Sequence, residues 1–589
     1  MKRLLVYLSD YKKESVLGPL FKLLEASFEL FVPLVIAAII DVGIAGGDHS
    51  YILRMCGLLI LLAVVGLISS VTAQYFAAKA AVGFSTKLRY ALFSHIESLS
   101  FAEMDSIGTS TLITRMTSDI NQVQSGVNLV LRLFLRSPFI VFGAMIMAFT
   151  VDVKAALVFV VTIPLLSIVV FGVMLISMPL YKKVQKSLDL VLGKTRENLS
   201  GARVIRAFNK EENEIAEFGQ ENALLTNMQI IVGRVSALTN PLTYIIINAS
   251  IIAVIWIGGK RVYAGHISQG EVVALVNYMS QILVELVKLA NLIVNVTKSL
   301  ACANRISEVL ETEASIKDVS DGRITESDST VSDENSVVFS KVGMKYPGAL
   351  EESLSNLDFK VKRGQTIGVI GGTGSGKSSL VHLIPRFYDT SSGSVYVNGK
   401  DVREYPLVEL RDKIGIVMQK AVLFAGTIEE NLRWGNPDAS EEELWKALEI
   451  AQATEVVKGK EGGLSYWIEE GGKNLSGGQK QRLTIARAIV KNPEILILDD
   501  SASALDFATD AKLRAALRQM QGEKTIFIVS QRTSSIQFAD QIIVLDDGEA
   551  VGIGTHETLL QTCDVYREIY ESQFKKEELN RKGELGNAK

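Results

Sequence analysis

Six long apolar segments dominate the first half of the chain and constrain its fold more than any other feature. They cover residues 16–40, 55–75, 131–150, 155–178, 244–258 and 272–296. A helix needs about 20 apolar residues to cross a hydrocarbon core of about 30 Å, and most of the segments approach that length. Helices this long in a soluble core should show a polar face. The pattern therefore predicts six membrane-spanning helices.

Lysine and arginine are distributed unevenly around these spans. They are frequent at the N-terminus and within residues 76–130 and 179–243, whereas the first two connections on the other side are acidic or very short. Because basic residues favour the cytoplasmic side, we expect both termini to be cytoplasmic, although Lys260 and Arg261 depart from the rule. The two basic segments are too long for turns, so they predict helices that extend beyond the bilayer.

The remaining composition excludes several classes of protein. A net charge of −4 argues against a nucleic-acid coat, so no nucleic-acid partner is expected. The three cysteines, Cys56, Cys302 and Cys563, are too scattered for a disulfide scaffold or a zinc site. Residues 1–14 are charged and amphipathic, which indicates a short interfacial helix rather than a cleavable signal. Low cysteine use without a targeting peptide favours a bacterial cytoplasmic membrane.

The chain changes character after the sixth apolar segment. Residues 311–335 are rich in Ser, Thr, Asp and Glu, which is typical of a linker. Strand-like runs then alternate with helical ones, a pattern that predicts an α/β fold with a largely parallel sheet. We therefore predict a transmembrane domain over residues 1–312, a linker over 313–335, an α/β domain over 336–575 and a charged tail over 576–589.

A glycine-rich segment between strand-like residues 366–370 and helical residues 379–387 fits the pattern of a phosphate-binding loop. Its members are Gly371, Gly372, Thr373, Gly374, Ser375, Gly376, Lys377 and Ser378, with Ser379 next along the chain. Glycines let backbone N–H groups converge on phosphates, and the helix N-terminus adds a favourable dipole. Lys377 is expected to reach the β and γ phosphates, and the Ser378 hydroxyl to ligate Mg²⁺.

Two further segments complete the nucleotide signature. Residues 494–499 form an apolar strand that ends in Asp499, the carboxylate expected to hold Mg²⁺. Between this strand and the loop lies a segment that matches the signature motif of ABC ATPases, through Ser476, Gly477, Gly478 and Gln479. With these motifs in order, residues 340–560 resemble the nucleotide-binding domain of that family.

The resemblance extends over the whole chain and implies further site residues. Tyr346 resembles the family's aromatic residue that stacks on adenine. Gln419 resembles the glutamine that binds the metal together with Ser378 and Asp499. Asp506 resembles a residue of the D-loop. Six spans before one such domain resemble a half-size type IV ABC exporter of the multidrug-resistance kind. The fold class this implies is an all-α six-helix transmembrane domain followed by an α/β P-loop ABC nucleotide-binding domain, with ATP and Mg²⁺ as cofactors.

Two positions depart from the family pattern. The catalytic glutamate after the Mg²⁺-binding aspartate is Asp500 here, and the switch histidine is Gln531. A carboxylate one methylene shorter is withdrawn by about 1 Å, which can cost about 10²-fold in rate. Glutamine can hydrogen-bond a phosphate but offers no titratable proton. We therefore expect this chain to contribute a weak or non-hydrolysing site.

In the family, each ATP lies between the phosphate loop of one nucleotide domain and the signature motif of the other. The intact Ser476 to Gln479 motif would then complete the site of a different partner, a second and non-identical half-transporter. The hypothesis is a heterodimeric exporter of amphiphilic small molecules, drugs or lipids. The alternatives are a homodimeric lipid or peptide exporter, or an ATP-binding regulatory subunit of a membrane complex.

Polar residues recur on one helical face of the sixth apolar segment. They are Asn277, Gln281, Glu285, Lys288, Asn291 and Asn295. Glu25 and Glu29 in the first segment are likewise one helical turn apart. Because polar groups facing lipid are expensive, this stripe predicts either an interhelical network or a cavity wall that contacts substrate. As a cavity wall, its acids would suit cationic amphiphiles.

Overall fold

The structure is a computed structural model that describes residues 4–318, 334–502, 504–520 and 522–573. Its contacts divide the chain into two compact units, one built from Met1–Glu97 with Thr109–Thr312 and the other from Ser98–Gly108 with Glu313–Lys589. Most of the predicted linker and all of the predicted charged tail lie outside the described residues. The predicted domain boundaries stay predictions.

From residue 4 to residue 311, the described part of the chain is almost entirely helical. Its helices are α1 (Lys12–Ala38), α2 (His49–Ser98), α3 (Phe101–Ile107), α4 (Thr109–Thr114), α5 (Ile120–Leu133), α6 (Arg136–Val151), α7 (Val153–Ser200), α8 (Ala202–Ala207), α9 (Glu211–Ala237), α10 (Thr239–Tyr263) and α11 (Gln269–Glu311). Two short π-helical segments, Ile39–Ile44 and Arg115–Asp119, follow α1 and α4.

Six stretches of these helices are long and apolar enough to cross a membrane, which confirms the predicted spans. Helices α2 and α7 have 50 and 48 residues, far more than a bilayer requires, as the long basic segments predicted. The first residues differ in detail from the expected interfacial helix. Residues 4–11 form a 3₁₀-helix that runs directly into α1, and Asp10 and Glu14 form ion pairs with lysines of α2.

The core of the first unit lies where α1, α6, α7, α10 and α11 pack together. Small residues such as Ala144, Ala155 and Ala274 are fully buried there, so the helices approach closely. Tyr278 of α11 is also fully buried, and its hydroxyl donates a 2.7 Å hydrogen bond to the Leu30 carbonyl of α1. This bond satisfies the one polar atom that a buried tyrosine brings into an apolar core.

The second unit alternates strands and helices. Its strands are β1 (Asn335–Met344), β2 (Leu354–Lys362), β3 (Thr366–Gly371), β4 (Ser392–Val397), β5 (Lys400–Asp401), β6 (Ile414–Val417), β7 (Gly426–Thr427), β8 (Trp467–Ile468), β9 (Ile495–Asp499), β10 (Thr525–Val529), β11 (Gln541–Asp546) and β12 (Glu549–Gly554). Its later helices are α12 (Lys377–Leu383), α13 (Leu407–Asp412), α14 (Ile428–Arg433), α15 (Glu441–Ile450), α16 (Thr454–Lys458), α17 (Gly477–Val490), α18 (Phe507–Gln519) and α19 (His556–Thr562).

The central sheet has six strands in the order β12-β11-β3-β10-β9-β6. Only the β11–β12 pair is antiparallel, so the predicted largely parallel sheet is confirmed. Strands β3, β9 and β10 are buried along their whole length, as expected for strands covered on both faces. A second, antiparallel sheet of order β2-β1-β4-β5 lies beside it and was not predicted.

The helix after the phosphate-binding loop is displaced from its predicted range of residues 379–387. Helix α12 begins at Lys377 and ends at Leu383. Pro385 lies two residues beyond this end and cannot donate the backbone hydrogen bond that would continue the helix. Arg386 follows with a φ of 51°, so the chain turns away at this point.

Candidate nucleotide site

A cavity of 350 Å³ lies where strands β3, β6, β9 and β10 end. The carboxyl ends of parallel strands meet at one edge of a sheet, and ligands bind in the crevice outside them. Eleven of the predicted site residues line this cavity, namely Tyr346, Thr373, Gly374, Gly376, Lys377, Ser378, Ser379, Gln419, Asp499, Asp500 and Gln531. The fold therefore brings these motifs together around one cavity, although they are spread along the sequence from residue 346 to residue 531.

The loop between β3 and α12 depends on glycine at two positions. Gly374 and Gly376 have φ angles of 86° and 90°, which residues other than glycine rarely adopt. At Gly376 an added Cβ would also lie 2.8 Å from the carbonyl oxygen of Ser353. The backbone N–H groups in the first turn of α12 have no partner within their own helix, so they are available to an anion.

The Lys377 side chain lies inside the phosphate-binding loop and contacts three of its residues. Its ammonium group donates hydrogen bonds to the Gly371 carbonyl at 3.0 Å, to the Gly372 carbonyl and to the Ser375 hydroxyl at 3.3 Å. Burial lowers the pKa of Lys377, while the negative charges of Asp500 and Asp499 oppose that effect. The loop thus holds a cation at the position where phosphate charge would be placed.

The residues predicted to hold Mg²⁺ form a matching group of oxygen donors. The Ser378 hydroxyl donates a 3.0 Å hydrogen bond to Asp499, whose side chain is almost fully buried. Gln419 lines the same cavity and adds an amide oxygen. A hydroxyl, a carboxylate and an amide oxygen suit Mg²⁺, which prefers oxygen ligands and usually keeps several waters. The donor set therefore fits the metal that the family implies.

Asp500, which the sequence predicts to stand at the position of the catalytic base, has a constrained backbone conformation. Its φ is 45°, in the left-handed region, and its carbonyl oxygen accepts a 3.4 Å hydrogen bond from Gln481 of α17. Its carboxylate accepts a 3.5 Å hydrogen bond from the Gln419 amide. Burial raises the pKa of Asp500, and the charge of Asp499 acts in the same direction, while the hydrogen bond from Gln419 opposes them.

Tyr346 lies at another wall of this cavity. Its hydroxyl shares a 2.9 Å hydrogen bond with Ser379, the residue that follows the phosphate loop. Tyr388 packs edge-on against its ring with centroids 5.1 Å apart. Tyr388 in turn donates a 2.5 Å hydrogen bond to Asp105 of α3. Aromatic contacts and a hydrogen bond thus connect the predicted adenine-stacking residue to helix α3.

The signature residues lie away from this cavity. The Ser476 hydroxyl caps α17 by accepting a 3.3 Å hydrogen bond from the Gln479 backbone N–H, and the Gln479 side-chain oxygen accepts one of 3.1 Å from the Ser476 N–H. A Cβ at Gly478 would lie 3.0 Å from the Ala504 carbonyl, so the signature packs against the segment just before Asp506 of the predicted D-loop. Asp506 caps α18, and Gly477 begins α17. Within the described part of the chain these residues are not part of the phosphate site.

His382 was not predicted from the sequence as a residue of the site. The His382 ring nitrogen Nε2 lies 3.6 Å from the Asp499 carboxylate, and the side chain is mostly buried. His382 is four residues after Ser378 on α12, a spacing that places both on one helical face. That spacing was the available signal, since Ser378 was already assigned to the metal.

The polar stripe of the sixth span also forms a cavity wall, in the first unit. A cavity of 360 Å³ is lined by Glu29 together with Asn277, Ser280, Gln281, Glu285 and Lys288. Arg136 of α6, which was not predicted, donates 2.6 Å hydrogen bonds to both Glu285 and Glu29. The other predicted polar residues do not line it: Glu25 is paired with Lys22, and the Asn295 side chain donates to the Asn291 carbonyl.

Comparison with known proteins gives matches over both units. Residues 15–286 match the family model described as the ABC transporter transmembrane region, and residues 354–503 match the model described as ABC transporter. A solved bacterial Atm1-family ABC exporter with ATP bound has the same fold, with a TM-score of 0.74, 23% identity, and coverage of 95% of this chain and 98% of that one.

Three relatives span most of their own length. An uncharacterized ABC transporter ATP-binding protein of Mycobacterium tuberculosis is 37% identical over 96% of this chain and 97% of its own. YgaD of Bacillus subtilis, provisionally named a multidrug export ATP-binding/permease protein, is 32% identical over 98% of each. The ATP-dependent lipid A-core flippase of Desulfotalea psychrophila is 31% identical over 82% of this chain and 84% of its own. This chain therefore belongs to the ABC transporter family, as a multi-pass half-size exporter with one ATP-binding region.

Proposed function

We propose that this chain is one half of a heterodimeric exporter, and that its own nucleotide site hydrolyses ATP weakly or not at all. The observation that carries the proposal is the geometry of Asp500. This residue stands where the family has a glutamate, its backbone is held in the left-handed region, and its carboxylate accepts a hydrogen bond from Gln419. Its carbonyl oxygen also accepts a hydrogen bond from Gln481 of α17, which opposes a backbone movement that would recover the missing reach.

The cost of this geometry follows from the position of the attacking water. A carboxylate withdrawn by about 1 Å can lose about 10²-fold in rate. The raised pKa of Asp500 does not restore the lost distance. Gln531 lines the same cavity but has no proton that titrates near neutral pH. Both substitutions therefore weaken hydrolysis while leaving the phosphate-binding loop intact.

Nucleotide binding is assigned to the residues that the cavity brings together. Lys377 and the N–H groups of the loop would neutralise the phosphates, and Tyr346 would contact the base. Ser378, Asp499 and Gln419 would hold Mg²⁺, which when bound screens the negative charge that develops on the phosphate oxygens. This site can retain ATP without turning it over, because binding and catalysis depend on different side chains.

The signature motif of this chain would complete the site of its partner. Ser476 and Gly477 are exposed at the N-terminus of α17. The Ser476 N–H is bonded to the Gln479 side chain, whereas the N–H of Gly477 has no partner within its own helix. Hydrolysis at the partner's site would then drive transport across a bacterial cytoplasmic membrane, with both termini cytoplasmic. The cargo class is amphiphilic molecules, including drugs and lipids, which agrees with the names of YgaD and the lipid A-core flippase.

A second candidate is a homodimeric lipid exporter. It is favoured by the 31% identity to the lipid A-core flippase. This alternative requires that Asp500 and Gln531 support hydrolysis in both copies. The two proposals therefore differ in the activity of the chain alone and in the effect of altering each half of its nucleotide machinery.

The test compares two variants in the complex with a candidate half-transporter partner. Ser476→Arg blocks the signature that would complete the partner's site, and Lys377→Met removes the cation of this chain's own loop. We expect Ser476→Arg to abolish ATP-driven transport in proteoliposomes, and Lys377→Met to reduce it by less than about tenfold. Transport that survives Ser476→Arg, or that is lost equally in both variants, would contradict the asymmetric assignment.

A further inference from the structure

We propose that the cavity beside Arg136 binds the headgroup of a zwitterionic amphiphile, with the positive group at Glu29 and the negative group at Lys288. The cavity lies within the first unit and is lined by helices α1 and α11. The inference rests on the proposed export function, since it names the class of cargo for that function.

Glu285, the most buried acid of this cavity, already accepts three hydrogen bonds and has little capacity left for a ligand. Its Oε1 accepts hydrogen bonds from Arg136 at 2.6 Å and from Lys288 at 2.9 Å. Its Oε2 accepts one from the Ser137 hydroxyl at 2.8 Å, and only 3% of its side chain is exposed. The hypothesis of a cationic cargo counted this acid among the groups that a ligand would meet. Its pairing removes the main basis for a preference for cations.

Two charged groups remain open to the cavity, and they have opposite signs. The Glu29 side chain is 40% exposed, and within the described residues only its Oε2 makes a polar contact, with Arg136. The Lys288 side chain is 45% exposed and, in the same part of the chain, gives one hydrogen bond, to Glu285. An ammonium has three N–H donors, so two of them stay available. A ligand in the cavity would thus meet a carboxylate oxygen of Glu29 on α1 from one side. It would meet the ammonium group of Lys288 on α11 from another side.

The charges around the cavity cancel. Glu29 and Glu285 carry two negative charges, and Arg136 and Lys288 carry two positive ones. An ion brought into a membrane interior loses hydration that a neutral site cannot replace. A zwitterion brings both signs and no net charge, so each of its ends finds an opposite partner. This balance favours a zwitterion over either a cationic or an anionic amphiphile.

The uncharged lining fits the rest of such a ligand. The Gln281 side-chain oxygen is buried and, among the described residues, has no hydrogen-bond partner, so it can accept from a headgroup. Val32, Pro33, Ile36 and Val284 supply an apolar wall for the first carbons of a chain. A volume of 360 Å³ lies at the lower end of ligand cavities and fits a headgroup rather than a whole lipid.

The test uses three probes with the same tail and different headgroups: dodecylphosphocholine, dodecyltrimethylammonium and dodecyl phosphate. Binding to the full-length chain in nanodiscs is measured by microscale thermophoresis, below the micelle concentration of each probe. We expect the zwitterionic probe to bind about tenfold more tightly than either charged probe. Each charged probe lacks one charge-assisted contact, and the loss of one such contact accounts for a factor of about ten in affinity. A preference for the cationic probe in the unaltered chain would overturn the proposal.

Single-charge variants then test which residue faces which end. Lys288→Gln leaves the site with a net negative charge, so we expect it to favour the cationic probe by about tenfold relative to the unaltered chain. Glu29→Gln should favour the anionic probe equally, and Lys288→Arg should keep the original order. Lys260→Gln makes the same charge change on α10, away from the cavity, and should alter nothing. Equal effects of Lys288→Gln and Glu29→Gln on all three probes would refute the assignment.

The experiment separates this inference from the proposed function. If the probes bind in the expected order but ATP drives no transport in proteoliposomes, the export proposal fails and the headgroup site stands. If ATP-driven transport occurs but binding ignores headgroup charge, the headgroup site fails and export stands. Monodisperse elution of each variant shows that the fold is retained, as expected for two half-exposed side chains.

Discussion

Removing one member of the ion cluster around Arg136 should strongly destabilise the first unit. Arg136 is 7% exposed and links three helices through its hydrogen bonds to Glu285 and Glu29. Breaking a buried pair by removing one partner typically costs about 3–5 kcal/mol, because the other charge is left without compensation. In Arg136→Met, Glu285 keeps Ser137 and Lys288, so we expect a loss near the lower limit, about 3 kcal/mol.

A double-mutant cycle isolates the pairing from packing effects. Glu285→Gln alone should cost about 1–2 kcal/mol, because Arg136 keeps Glu29. The double variant Arg136→Met/Glu285→Gln removes both buried charges, and replacing a whole buried pair is often close to neutral. We therefore expect it to be no less stable than Arg136→Met alone, with a coupling of about 1–2 kcal/mol or more. Glu29 and Lys288 add little, because solvent screens half-exposed charges.

Thermal unfolding of the full chain in detergent, followed by circular dichroism, measures these differences. At about 2 °C per kcal/mol for a unit of this size, Arg136→Met should lower the Tm by about 6 °C. Lys186→Met makes the same change of charge at an exposed position of α7 and should lower it by less than about 1 °C. If the two single losses add to the double loss within about 0.5 kcal/mol, the cluster is not coupled and the reasoning is wrong.

Three further outcomes follow from the second unit. Gly376→Ala should destabilise it by at least about 1 kcal/mol in thermal unfolding, because φ is 90°, whereas Gly372→Ala has open space and should be tolerated. Tyr388→Phe should cost about 1 kcal/mol through its lost hydrogen bond to α3, equally from pH 6 to 9, because burial raises the pKa of the phenol. Burial of Asp401 is outweighed by the hydrogen bonds from Arg403, which hold the pKa of Asp401 below its ordinary value. That pair stabilises the fold above about pH 4 and is lost as the pH falls further, so Arg403→Gln should remove part of the acid sensitivity in an unfolding titration.

The parts of the fold that were predictable are those encoded locally. Six apolar runs predict six spans because each run alone meets the length requirement of a bilayer. The phosphate loop and Asp499 could be placed together because both follow buried parallel strands, whose carboxyl ends share one edge. The antiparallel sheet was missed because β1 pairs with β4 over a sequence separation of about sixty residues, as the partners Val337 and Val397 show. Such pairing leaves little local pattern.

The ion cluster shows that contacts between helices cannot be predicted from the sequence of one helix at a time. Arg136 lies inside the third apolar run, and a charge at that depth is itself a signal of a polar partner. Its partners, however, lie on α1 and α11, and only the packing of the helices joins them. The polar stripe of α11 could therefore be predicted, but not the ion pair between its Glu285 and Arg136 of α6.

The rate of ATP hydrolysis by the purified full-length chain alone tests the central claim most directly. The unaltered chain is compared with Asp500→Glu/Gln531→His, which restores both family residues, and with Asp500→Asn as a control without a base. The account predicts that the unaltered chain turns over no faster than Asp500→Asn within about threefold, and that the restored variant gains about 10²-fold. Robust hydrolysis by the unaltered chain that Asp500→Asn abolishes, with no gain in the restored variant, would contradict it.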